Sequence, residues 1–260
     1  MIKTMSSKLS RNVSAFVLNG NRLNDFSKHS EKVLECAIQE HVIPYANNVL
    51  EPLGGHVRHE KTISLYECQK MFKNGPVPNE QNKNVFMKPD GGILFAQFKD
   101  YKVPILITED KCQGTNDNLF SNDHPRQATG NAIERGAKNI RGAEMIFNQY
   151  KFFPYVLFAS GCDFHHTETI SKRIEMMNMG FPNHYMEIKS ENQNVDNLIE
   201  SLLGSVSIKK IESLGIASIF VKAHKWDELP HGSSAWTVGE VSMICCKVID
   251  LVISEINEMK

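Results

Sequence analysis

The stretch VFMKPDGGILFAQFKDYKVPILITEDK, residues 85–111, decides the fold. Residues 85–87 make a short apolar run that reads as a strand. Lys88-Pro89-Asp90-Gly91-Gly92 is turn chemistry: proline presets one backbone angle, aspartate bonds nearby backbone, and glycine tolerates left-handed geometry. Residues 93–98 read as a second strand, 99–102 as a second turn, and 103–110, rich in Ile and Val, as a third strand.

Downstream the pattern changes from hairpin to alternation. Residues 127–150 read as a helix with Ile133, Ile140, Ala143 and Phe147 on one face. Pro154 ends that segment, and residues 155–159 form a short, wholly apolar strand of the kind buried on both faces. Helices near 168–177 and 195–203 alternate with strands at 184–188 and 216–221, and an amphipathic helix spans about 234–257. Upstream, Ser30 is placed to cap a helix through Val33, Leu34, Ile38 and Val42, with Pro44 closing it. The expected fold class is α/β, a central mixed five-stranded sheet with helices on both faces. Residues 1–260 read as one domain: 1–80 unassigned, 85–222 the core that carries the chemistry, and 234–257 a C-terminal helix.

The chain has 260 residues and a formal net charge of −1, with 41% hydrophobic and 23% charged residues. These values exclude a disordered chain and a generally basic nucleic-acid coat protein. At this length a single domain buries roughly three quarters of the surface its unfolded chain exposes. The six cysteines (Cys36, Cys68, Cys112, Cys162, Cys245 and Cys246) form no C-x-x-C pair and are too sparse for a disulfide scaffold. Residues 1–18 scatter Lys3, Lys8 and Arg11 and lack the apolar core of a signal peptide, so the expected location is the cytoplasm. His165-His166 reads as a surface turn, because adjacent histidines project to different sides.

Asp90 heads one strand of the hairpin, while Glu109 and Lys111 lie two apart on its neighbour and so share a face of the sheet. If the turn brings Asp90 alongside, two hard carboxylates and an ammonium converge, a set suited to Mg2+ and to phosphodiester hydrolysis. The plainer reading is a Pro-Asp-Gly turn beside a solvated strand face. Against it stands the cost of ending an apolar strand with Glu109-Asp110-Lys111, three charges that need partners. A second segment, Gly130-Asn131-Ala132-Ile133-Glu134-Arg135-Gly136-Ala137-Lys138-Asn139, opens the long helix. Residues 125–142 carry Arg126, Arg135, Lys138 and Arg141 against Glu134, a local +3. Asparagine and arginine are the side chains that read base edges, although a solvated basic helix face would look the same.

Four blocks carry a resemblance. Lys88-Pro89-Asp90-Gly91-Gly92-Ile93, Glu109-Asp110-Lys111-Cys112-Gln113-Gly114, Gly130-Asn131-Ala132-Ile133-Glu134-Arg135 and Phe153-Pro154-Tyr155-Val156-Leu157-Phe158 lie in that order. Together they resemble the EcoRI-like type II restriction endonucleases of the PD-(D/E)xK nuclease superfamily. The similarity covers about residues 85–164 and continues more weakly through 178–182, 217–219 and Trp236.

The resemblance implies a restriction-endonuclease-like fold with Asp90, Glu109 and Lys111 as catalytic residues. It implies Mg2+ held by Asp90, Glu109 and the backbone carbonyl of Asp110. Gln113, Asn131, Ala132 and Arg135 match positions that meet the bases of a central AATT, and Glu134 matches one that orients neighbours across a dimer. Lys138 matches a phosphate contact, and Arg173 a DNA-facing arginine. Enzymes of this family are homodimers that cut palindromes in double-stranded DNA, leaving 5′-phosphate ends and 5′ overhangs, and each works beside a cognate DNA methyltransferase.

This chain departs from the family pattern in two places. The family has a small apolar residue where Asp110 stands, so an extra carboxylate lies beside the expected metal site. The connection from Gly114 to Gly130 is shorter, and Thr115-Asn116-Asp117 lacks a lysine, which leaves the outer base pair open. Two other readings stay open: a repair or recombination nuclease of the same fold, and a DNA-binding module in which the triad is an inert ion-pair cluster. The charge is polarised, with +4 over residues 1–30 and −4 over 226–260, so a neutral total is compatible with a DNA enzyme.

Overall fold

The computed structural model describes residues 22–71, 77–112, 139, 143, 154–160, 185–189, 217–222 and 234–258. Helix α1 (Arg22–Cys36) runs into a π-helical segment (Ala37–Val42) and then helix α2 (Ile43–Leu50). Strands β1 (His56–Glu60) and β2 (Ile63–Ser64), helix α3 (Leu65–Met71) and strand β3 (Phe86–Met87) follow. Next come β4 (Gly92–Gln97), β5 (Lys102–Cys112), β6 (Tyr155–Ser160), β7 (Tyr185–Lys189), β8 (Ala217–Lys222) and helix α4 (Val238–Glu258).

The main sheet has the order β1-β4-β5-β6-β8-β7. Strands β1, β4 and β5 are antiparallel, whereas β5, β6, β8 and β7 run parallel. Strand β5 is therefore where the sheet changes sense, with an antiparallel neighbour on one side and a parallel one on the other. Its register with β4 shifts between Leu94 and Phe95, which pair with Leu106 and Pro104, so Ile105 is the extra residue of a bulge. The bulge also accommodates Pro104, which has no N–H to give to a regular ladder.

One face of the sheet is packed by α1, the π segment, α2 and α4. Leu34, Ile38, Val42 and Leu50 meet Leu94, Leu106, Val156 and Phe158, and α4 adds Val241, Ile244, Cys245, Val248, Ile249 and Val252. Those α4 positions recur at three- and four-residue steps, the stripe of a helix with one buried side. Trp236 closes this core, edge-on to Phe158 at 5.3 Å and donating its indole N–H to the Ala159 carbonyl at 3.4 Å. On the other face Ile93, Phe95, Ile107, Tyr155 and Leu157 are also buried. Most of the helix expected at 127–150 lies outside the described residues, as do those at 168–177 and 195–203. Asn139 and Ala143 are described, both are helical, and Ala143 is buried.

The sheet corrects the expectation of five strands: six are hydrogen-bonded among the described residues. The unanticipated β1 reads His-Val-Arg-His-Glu, and an edge strand with mostly polar side chains carries no apolar alternation. Residues 86–87 are a strand as expected, but they pair with β2 in a separate two-stranded sheet. Ser30 caps nothing; it is buried within α1. Pro44 closes nothing either, because the π segment precedes it and it sits in the first turn of α2, where a missing N–H is harmless.

Helix α4 starts at Val238, four residues later than expected, at a capping box. The Glu240 carboxylate accepts from the Thr237 N–H at 2.9 Å, and Thr237 Oγ1 accepts from the Glu240 N–H at 3.2 Å. Cys36, Cys68, Cys112, Cys245 and Cys246 are free thiols, with Cys245 buried in the core. Among the described residues no helix is long and apolar enough to cross a membrane.

Candidate active site

The Pro89–Gly92 turn delivers Asp90 to the end of β5. The Gly92 N–H donates to the Pro89 carbonyl at 3.0 Å, and the Gly91 N–H to the Thr108 carbonyl at 3.0 Å. Both glycines are required. Gly92 has φ of +80°, and a Cβ on Gly91 would fall 1.9 Å from Thr108 Oγ1. So held, the Asp90 N–H donates to Glu109 Oε2 at 3.2 Å, and the Asp110 N–H donates to Asp90 Oδ2 at 3.1 Å.

Three oxygens converge on one cation. The Lys111 ammonium lies 2.9 Å from Asp90 Oδ2, 2.5 Å from Glu109 Oε1 and 2.8 Å from the Asp110 carbonyl oxygen. The Glu109 side chain is 2% exposed, whereas Asp90 and Lys111 are 32% and 23% exposed, so the cluster opens on the Asp90 side. Burial pulls the Lys111 pKa down, but Glu109 and Asp90 outweigh it and hold the group above its ordinary value. The lysine is fully charged at neutral pH. Tyr155, opposite Ile107 on β6, keeps its phenol proton far above the usual range, through burial first and then the Glu109 and Asp90 carboxylates.

Asn139 completes the surroundings of Glu109, its Nδ2 donating to Glu109 Oε1 at 2.8 Å. Reading the sequence passed over this residue. The signal was present: Asn131, Arg135 and Asn139 are spaced four apart, so on a continuous helix they share one side.

The extra carboxylate of Asp110 does not enter the cluster. Successive residues of a strand face opposite ways, so with Glu109 and Lys111 toward the site, Asp110 turns back to α1. There Ser30 Oγ donates to Asp110 Oδ1 at 2.8 Å. Burial, opposed by the Ser30 bond, pushes the Asp110 pKa up to about 7. Its backbone alone reaches the cluster, the N–H on Asp90 Oδ2 and the carbonyl on Lys111.

Whether these residues suit a metal is a matter of donor type. Two carboxylates and a carbonyl, already gathered around one positive group, are hard oxygen donors that match Mg2+ completed by water and phosphate oxygens. Nitrogen and sulfur donors of a zinc site are missing from the cluster. Among the described residues no three His, Cys, Asp or Glu side chains gather as a metal group, and the Asp110 carbonyl stands beside the two carboxylates as a third oxygen donor. Of the residues expected at the site, the structure brings together Asp90, Glu109 and Lys111. Gln113, Asn131, Ala132, Glu134, Arg135, Lys138 and Arg173 lie outside the described residues, as do His165 and His166.

Comparison with known proteins supplies the family. The chain matches the family described as restriction endonuclease EcoRI over residues 67–258. It is similar to the type II restriction enzyme EcoRI of Escherichia coli, 38% identical over 98 residues. That alignment covers 34% of this chain and 35% of the relative, about a third of the relative's length. With the family match spanning most of its residues, the chain belongs to the EcoRI restriction endonuclease family.

Proposed function

We propose that the protein is a Mg2+-dependent type II restriction endonuclease that hydrolyses phosphodiester bonds of double-stranded DNA. The convergence of Asp90 Oδ2, Glu109 Oε1 and the Asp110 carbonyl within 3 Å of Lys111 Nζ carries this reading. Asp90 and Glu109, with the Asp110 carbonyl, would hold the metal. Bound there, Mg2+ supplies Lewis acidity toward a phosphodiester oxygen and a lowered water pKa.

The chain's own groups do the rest. Lys111, held charged, orients the attacking water and neutralises charge developing on the phosphorus centre. The buried Glu109, gripped by Lys111 and Asn139, keeps a fixed carboxylate position at low reorganisation cost. Asp90 lies on the more exposed side of the cluster, where the DNA backbone would approach.

Specificity is carried by residues that follow β5 in the sequence. Gln113, Asn131, Ala132 and Arg135 read a palindrome with a central AATT, Glu134 orients neighbours, and Lys138 and Arg173 contact the backbone. The family match and the ordered sequence blocks support this assignment, and so does the bond from Asn139, the last residue of the quoted segment, to Glu109. Reading a palindrome requires two-fold symmetry, hence a homodimer that cuts each strand to leave 5′-phosphate ends and 5′ overhangs. A cognate DNA methyltransferase would protect the host sequence.

The test is digestion of phage DNA with Mg2+, followed by sequencing of the ends. Discrete fragments sharing AATT are expected. Structure-dependent nicking would point instead to a repair or recombination nuclease, and intact DNA to a binding module.

A further inference from the structure

The turn that presents Asp90 contains two successive glycines, and glycine loses more conformational freedom on ordering than any other residue. Something must therefore fix it. The N–H groups of Gly91 and Gly92 are bonded to Thr108 and Pro89. The Gly91 carbonyl is held from β1, where His59 Nε2 lies 3.1 Å away. A carbonyl only accepts, so Nε2 carries the proton. On the other ring edge Gln39 Nε2 lies 2.9 Å from His59 Nδ1, donating to the bare nitrogen. Burial lowers the His59 pKa, which keeps Nδ1 free to accept at neutral pH.

The imidazole also packs on the turn, because a Cβ on Gly92 would meet His59 Nε2 at 2.5 Å. Gln39 comes from the π-helical segment, a local widening of the helix often found at functional sites. Neither Gln39 nor His59 belongs to the 67–258 stretch matched by the family.

We propose that His59, oriented by Gln39, is a positioning residue for Asp90: its Nε2–H on the Gly91 carbonyl fixes the plane of the turn that aims the Asp90 carboxylate. The inference rests on the reading of Asp90 as a metal ligand. His59 is not itself one of the groups assigned to the metal or the substrate. It acts through one peptide group, and what it supplies is a single geometry for an otherwise slack loop.

Two substitutions separate hydrogen bonding from packing. His59→Phe keeps a ring against Gly92 and loses the donor, whereas His59→Gln keeps an N–H within reach of the Gly91 carbonyl. In the full-length, metal-free protein, amide exchange at Gly91 and Gly92 should quicken about tenfold in His59→Phe, the scale of one neutral hydrogen bond. Exchange in the rest of β4 should hold steady. Mn2+ binding to the free protein, followed by electron paramagnetic resonance, should weaken in parallel, and half-saturation of cleavage should move to higher Mg2+. His59→Gln should recover most of each effect. Parent-like exchange and Mn2+ affinity in His59→Phe would overturn the proposal, as would a folded His59→Gln no better than His59→Phe. If the parent binds Mn2+ in a His59-dependent way yet cuts no DNA, the nuclease reading falls and the positioning role stands.

Discussion

Single residues divide the work on strand β5 by the side they face. Glu109 and Lys111 look toward the site, and Asp110 looks toward Ser30. Glu109→Gln should abolish cleavage while sparing DNA binding in Ca2+, measured by gel shift; undiminished cutting would remove Glu109 from the catalytic set. Lys111→Ala should lower the single-turnover rate about 10²–10³-fold, the usual loss for a group aimed at developing charge. Asp110 makes a different prediction, about stability. In the unfolded chain its carboxyl titrates near 4, roughly the ordinary value, whereas folded it titrates at about 7. Between those values the folded chain holds a proton that the unfolded chain has released, so stability falls as pH rises through that window and is level above it. Asp110→Asn should flatten this slope and stabilise the protein at pH 8 by about 1–3 kcal/mol, measured by urea unfolding. An unchanged slope would contradict the assignment. Glu109 and Lys111 were legible as a pair because their spacing follows the two-residue period of a strand, and Asp90 joined them through the turn and the family resemblance. His59 was not, since its role depends on a pairing of β1 with β4 that no local pattern announces.

Elements show the same division between local and distant causes. Strands β4, β5 and β6 were readable as apolar runs bounded by turn residues or proline, and helix α4 because its apolar residues recur at the helical period. Strand β1 and helices α2 and α3 were not, for β1 is a polar edge and the helices are short. The π segment misled the reading of Pro44, because a widened turn lets the chain pass a proline without stopping. The capping box gives a test at this scale: Thr237→Ala removes the acceptor for the Glu240 N–H and should cost about 1 kcal/mol of stability. Thermal melting reads this directly. The turn gives another. Gly92→Ala places a side chain at φ of +80° against His59 and should destabilise by about 1–3 kcal/mol. A neutral outcome would mean that the turn yields more easily than its contacts indicate.

Over the whole molecule, the first third of the chain was read only as a helix from Ser30 to Pro44 with no role assigned, yet it packs the back of the sheet and supplies Ser30, Gln39 and His59. Helix α1 brings Ser30 to β5, the π segment brings Gln39 to His59, and β1 brings His59 to the turn, while the site lies at the carboxyl end of β5. Light scattering should give twice the 29.4 kDa chain mass if the enzyme reads a palindrome as proposed. Lys111, finally, has a consequence for how the fold tolerates paired carboxylates. Two carboxylates this close would repel one another and strain the sheet, but the ammonium between them acts as a resident counter-ion. The centre is thus electrostatically quenched by the polypeptide itself, and chelation of divalent ions should leave the melting temperature unchanged. Under the proposed function, a metal ion entering the site would have to displace this tethered positive charge, and an arriving phosphate diester would shift that competition.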